Sequence, residues 1–139
     1  MKVLVGSVST TESQAAVDAA VAEARSQGAE LHLVVHVPPP TNERDAQDQA
    51  ALIERERERL ELQAEHIRDE LGLACTAHFL QGAGRTSQAL LQLAADLPAD
   101  RIVIGTRRRS KVGKLLLGST ASDIILAAPC PVLSVKAAE

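Results

Sequence analysis

The sequence contains no tryptophan, no tyrosine and one phenylalanine, Phe79. A surface that stacks nucleobases on aromatic rings is excluded, as is a flavin site that sandwiches its ring between aromatic side chains. Cysteine is scarce. Cys75 and Cys130 cannot make a disulfide framework, and no zinc-ligand set is visible around them. They read as reduced core residues of a cytoplasmic protein, with no metal site. Neither sign of charge dominates: 15 basic against 18 acidic residues leaves −3, which argues against a nucleic-acid-coating protein. Long hydrophobic runs are missing. The most apolar stretch, 124–133, is too short for a membrane span and is broken by Pro129 and Pro131. No signal peptide fits the N-terminus. No nucleic-acid partner and no membrane are expected.

What is present is aliphatic. Apolar residues make up 45% of the 139, enough for one core and one domain over 1–139. Val3-Leu4-Val5 reads as a buried strand, followed by a polar turn at Gly6-Ser7-Val8-Ser9. Val17, Val21 and Ala24 recur at helical spacing, with Thr11 or Ser13 as the cap and Gly28 as the stop. A second strand covers 31–37 and ends at Pro38-Pro39-Pro40. Residues 42–71 hold ten acidic and five basic side chains around a stripe of Leu52, Ile53, Leu60, Ile67 and Leu71. That pattern predicts a solvated amphipathic helix closed by Gly72. A third strand is expected over 73–79, a helix over 86–97, and a fourth strand at Ile102-Val103-Ile104. A loop follows over 105–113, then a helix over 115–127 interrupted by Gly118, and a last strand at Val132-Leu133-Ser134-Val135. Alternating strands and helices imply a parallel sheet flanked by helices on both faces. Ligands of such sheets sit at the carboxyl ends of the strands, where the winding reverses.

The search for chemistry is mostly negative. There is no Gly-x4-Gly-Lys-(Ser/Thr) phosphate loop and no Gly-x-Ser-x-Gly elbow. No nucleophile–base pair is evident, so no catalytic residue is assigned. His32 and His36 lie four apart on one strand and face one side. They read as partly buried strand histidines, and Asp123 reads as a surface residue. One feature departs from the acidic average: Arg101, Arg107, Arg108, Arg109, Lys111 and Lys114 fall within fourteen residues that contain no acid. Gly113 and Gly118 let the backbone turn there, and Ser119 and Thr120 add hydroxyls. Cations beside a helix start make an anion site. The residues alone leave a phosphate cradle and a merely solubilising loop open.

Gly105-Thr106-Arg107-Arg108-Arg109-Ser110-Lys111-Val112-Gly113-Lys114-Leu115-Leu116-Leu117-Gly118-Ser119-Thr120, followed by Ala128-Pro129-Cys130-Pro131-Val132-Leu133-Ser134-Val135, resembles the C-terminal signature of the universal stress protein (UspA) family. The stretch from Gly84 to Leu91 resembles the family's Gly-x-Pro turn into its third helix, with Thr86 in place of Pro. The resemblance implies an adenine-nucleotide α-hydrolase-like fold, α/β, with an open five-stranded parallel sheet in order 3-2-1-4-5. It also implies a stress-response regulator, commonly a homodimer paired through the last strand, here Val132, Leu133, Ser134 and Val135. Nucleotide-binding members carry Gly-x2-Gly-x9-Gly-(Ser/Thr). Here Gly105 and Gly118-Ser119 keep the spacing, and Arg108 replaces the middle glycine. The family's aspartate after the first strand falls on Val8, and the glycine after it on Ser9.

The resemblance therefore implies a variant site for ATP or another adenine nucleotide. Gly6, Ser7, Val8, Ser9 and Val37 would line the base and ribose. Gly105, Arg107, Arg108, Gly113, Lys114, Gly118, Ser119 and Thr120 would hold phosphates. Without the aspartate, magnesium is doubtful, and any ATP hydrolysis would be slow. The alternative is a nucleotide-independent interaction protein of the same fold, working through its dimer and its basic loop on a regulatory protein partner.

Overall fold

The computed structural model describes residues 1–8, 10–108, 115, 116 and 118–137, with only the backbone path at 107, 108, 115 and 116. In chain order the elements are β1 (Lys2–Gly6), α1 (Thr11–Gln27), β2 (Glu30–Val37), α2 (Glu43–Leu71), β3 (Cys75–Gln81) and α3 (Thr86–Asp96). They continue with β4 (Arg101–Arg108), β5 (Leu115–Leu116), α4 (Ser119–Ala127) and β6 (Val132–Lys136). Five strands pair in parallel in the order β3-β2-β1-β4-β6. Because β6 is the fifth parallel strand, this is the expected 3-2-1-4-5 order.

Strand alternation sorts the core into two layers. Val3, Val5, Leu31, Leu33, Val35 and Val103 face α1 and α2, meeting Ala16, Val17, Ala20, Leu60, Ala64 and Ile67. Their neighbours Leu4, Val34, Ile102 and Ile104 point the other way, onto Leu90 and Ala94 of α3 and Ala121 and Ile124 of α4. Both layers are aliphatic, as the near absence of aromatics requires. Cys75 lies in the first layer, and burial pushes its thiol up to about 11. Gly28 and Gly72 end α1 and α2 with φ of 62° and 66°, the left-handed conformation that only glycine adopts without strain.

Several boundaries differ from expectation. The N-cap of α1 is Thr10, whose hydroxyl accepts from the Ser13 amide, rather than Thr11 or Ser13. The third strand starts at Cys75 because Leu31 pairs with Cys75 and the Leu31 amide bonds to the Ala74 carbonyl, leaving Leu73 in the turn. The fourth strand runs on to Arg108, beyond Ile104, because β6 pairs with it through Thr106. Farther out, β5 runs antiparallel to Arg107 and Arg108. The last helix begins at Ser119, not at 115, since Gly118 is extended at φ −66° and ψ 162°.

The charged helix also differs. Leu52 is exposed rather than part of a buried stripe; burial begins at Leu60. The Arg57 guanidinium lies 4.4 Å from the centre of the Phe79 ring. Arg59 reaches the end of β1, where it donates to the Ser7 carbonyl at 2.6 Å and to the Ser7 hydroxyl at 3.3 Å. Among the described residues no helix is long and apolar enough to cross a membrane.

Candidate functional site

β1 sends its chain one way across the sheet to β2, and β3 sends its chain back the other way to β4. The carboxyl ends of β1 and β4 therefore splay apart, and a cleft of ≈ 670 Å³ opens between them. Its apolar wall is made by Val8, Leu90, Val103, Ile104, Ala121 and Ile124. Hydroxyls of Thr10, Ser13, Thr86, Thr106 and Thr120 interrupt that wall, and Glu12 brings a carboxylate. A second hollow of ≈ 550 Å³ lies at the opposite end of the sheet, against Arg25, Glu30 and Leu71. It sits at the wrong end of the strands for an α/β ligand site and holds none of the expected residues.

The structure brings together Gly6, Val8, Gly105, Gly118 and Thr120 of the expected set around the cleft. Ser7, Val37 and Ser119 are outside its lining. Ser7 is 1% exposed and turns toward α2, where its hydroxyl bonds to Gln63. Its amide bonds to the Val34 carbonyl. It anchors a helix rather than facing the cleft, because alternation along β1 sends it to the α2 side. Val37 pairs with Gln81 of the edge strand β3. Ser9, Gly113 and Lys114, and the side chains of Arg107 and Arg108, lie outside the described residues. So do Arg109, Ser110 and Lys111 of the basic run.

Val8 is 48% exposed, and its amide is taken by the Ser13 hydroxyl at 2.8 Å. The same hydroxyl donates to the Gly6 carbonyl at 3.2 Å. This clasp holds the β1 end against the start of α1. Gly105 has a separate reason to be glycine: a Cβ there would lie 2.7 Å from the carbonyl carbon of Glu12. The bare backbone of β4 lets α1 approach. At the other wall, α4 starts with no side-chain cap, and its first intrahelical bond runs from the Ser122 amide to the Gly118 carbonyl. The earlier amides of this helix start at the rim of the cleft, where a helix N-terminus favours an anion.

The partners of Asp123 and of His36 were not legible in the sequence. Asp123 is not a simple surface residue: it accepts from the buried Ser87 hydroxyl at 2.8 Å and pairs with Arg85 at 3.2 Å, tying α4 to α3 behind the cleft. His36 bridges Thr86 and the Gly82 carbonyl at the cleft edge. An acid that meets a hydroxyl 36 residues earlier in the chain leaves no local signature.

The other histidines form a chain. Glu30 accepts from His32 Nε2 at 2.9 Å, so His32 Nδ1 accepts from His78 Nε2 at 2.8 Å. Desolvation, with the nearby His32, pushes the His78 pKa below its ordinary 6.5. The hydrogen bond from His32 holds the Glu30 carboxyl below the usual carboxylate range. In acid the unfolded chain takes up a proton at residue 78 that the native chain refuses. Stability is therefore expected to fall as pH drops below about 6.5. Glu30 adds to that loss only nearer the carboxylate range. Urea midpoints between pH 8 and 5 check this: His78→Gln should flatten the slope from 7 down to 5.5.

The universal stress protein family model matches residues 1–136. A universal stress protein of Thermus aquaticus, encoded in the 3′ region of a sulfhydrylase gene, is 41% identical over 121 residues, covering 84% of this chain and 85% of the relative. A universal stress protein structure from Archaeoglobus fulgidus is 30% identical with TM-score 0.75 and covers 98% of both chains. The Archaeoglobus fulgidus protein in complex with dAMP is 26% identical, TM-score 0.69, again over 98% of each chain. The signature, the strand order and these likenesses converge: this chain belongs to the universal stress protein family.

Proposed function

We propose that this protein is a dimeric stress-response regulator that binds an adenine nucleotide, ATP or AMP, in the cleft between β1 and β4. The observation that carries the reading is the cleft itself. It stands at the strand reversal, with an apolar wall for a base and an uncapped helix start for phosphate. The complex of a related family member with dAMP supports it. The basic run 107–114, in sequence between β4 and α4, would add cations for the phosphates. Equilibrium binding of labelled ATP at physiological salt tests the reading. Saturable binding is expected, and its absence at millimolar ligand overturns it.

One observation favours a second reading, a nucleotide-independent interaction protein acting on a regulatory partner in the cytoplasm. Val8 offers the cleft no side-chain hydrogen bond, its amide is already used, and the carboxylate in the lining belongs to Glu12. The double variant Val8→Asp, Arg108→Gly separates the two. Gain of ATP binding where the native protein has none means the native site is vacant.

The dimer would form through β6, which bonds only to β4 among the described strands and leaves Leu133 41% exposed. An apolar strand edge is a template for a second copy. Leu133→Asp is expected to convert the dimer to monomer in sedimentation at tens of micromolar. A native monomer at that concentration removes this part of the reading.

A further inference from the structure

At the cleft edge, His36 Nε2 lies 3.1 Å from the Gly82 carbonyl and His36 Nδ1 lies 3.0 Å from Thr86 Oγ1. A carbonyl oxygen can only accept, so the proton of the neutral ring sits on Nε2. Nδ1 is then an acceptor, and the Thr86 hydroxyl must donate to it. The hydroxyl proton is committed to His36, and what Thr86 has left to offer the cleft is lone pairs. The tautomer of a residue behind the wall thus sets the polarity of a residue in it.

Thr86 lines the cleft one helical turn before Leu90, on the same face of α3. Its neighbour along that face is apolar, which suits a flat ring rather than phosphate. A half-buried acceptor here rewards a ligand N–H and discriminates against a ligand that lacks one.

Resting on the nucleotide reading above, the geometry points to Thr86 as a specificity residue that accepts a hydrogen bond from the exocyclic amine of the bound base, with His36 as the positioning residue that holds its hydroxyl in the accepting orientation. The fold brings the pair together from the end of β2 and the first turn of α3, fifty residues apart.

The test compares two ligands that differ only in that amine: AMP and purine riboside 5′-monophosphate. Dissociation constants are measured for the native protein and three variants, with thermal melts to confirm folding. The native protein should bind AMP about tenfold more tightly than the des-amino ligand. Thr86→Ser should keep that ratio. Thr86→Val should bring it to about one by weakening AMP alone. His36→Leu, which frees the hydroxyl proton to turn toward the cleft, should lower the ratio while the hydroxyl remains. A native ratio near one, or a ratio that Thr86→Val leaves intact, overturns the inference while the nucleotide reading stands. A ratio unmoved by His36→Leu overturns the positioning role. If the native protein binds neither ligand, the nucleotide reading itself falls and this inference with it.

Discussion

Gly105→Ala is expected to cost about 3 kcal/mol of stability, lowering the melting temperature by roughly 10 °C. The substitution adds one methyl group, which at most buried positions is mild. Here the methyl would meet backbone: the Glu12 carbonyl oxygen and, 2.7 Å away, its carbonyl carbon. A flexible side chain could swing aside, but backbone in the first turn of a helix cannot. Relief requires moving α1 off β4, and α1 carries Ala16, Val17 and Ala20 into the core. The same movement opens the Ser13 clasp on Val8 and Gly6. Any ligand affinity of the cleft should therefore fall with stability in this variant. Gly118→Ala is the control, because among the described residues nothing lies within 4 Å of a Cβ built there. Its effect should be below about 1 kcal/mol. Chemical denaturation of both variants gives the comparison; equal midpoints would show that α1 can shift freely.

Arg59→Ala is expected to cost about 2 kcal/mol, more than other changes in the charged run of α2. The Arg59 guanidinium donates to the Ser7 carbonyl at 2.6 Å and to the Glu56 carboxylate at 2.9 Å, and Ser7 is almost fully buried. Truncation strips a charge-assisted bond from a carbonyl that water reaches poorly. It also loosens the tether between α2 and the end of β1. Arg57→Ala, by comparison, loses a contact on the face of Phe79 from a side chain about half exposed, and should cost about 0.5 kcal/mol. Urea midpoints of the two variants, at unchanged slope, check the order. A cost at Arg59 no larger than at Arg57 would mean that Ser7 finds another donor.

These two sites show different degrees of legibility. Gly105 stood out in the sequence as part of a phosphate motif, yet the close approach it permits is to α1. Arg59 was hidden in an alternation of Glu and Arg that reads as solvated surface, since nothing in such a run says which guanidinium meets a strand end. Asp123 was hidden likewise, because its partners Ser87 and Arg85 come from another helix. Val37 looked close to the cleft because a strand end usually is. In the sheet it pairs with Gln81 of β3 and lies outside the lining.

Local chemistry in the chain was enough to specify the element types, their order, the aliphatic core and the parallel sheet. Apolar alternation, helical spacing and the glycine and proline stops act over a few residues and need no distant partner. Contacts between remote segments were needed for everything else: the Ser7 anchor on α2, the extension of β4 under β6, the hydroxyl that clasps Val8, and the pairing of His36 with Thr86. Each depends on the direction of a side chain once two elements have packed, and that direction is set by strand register and helix rotation rather than by neighbours along the chain.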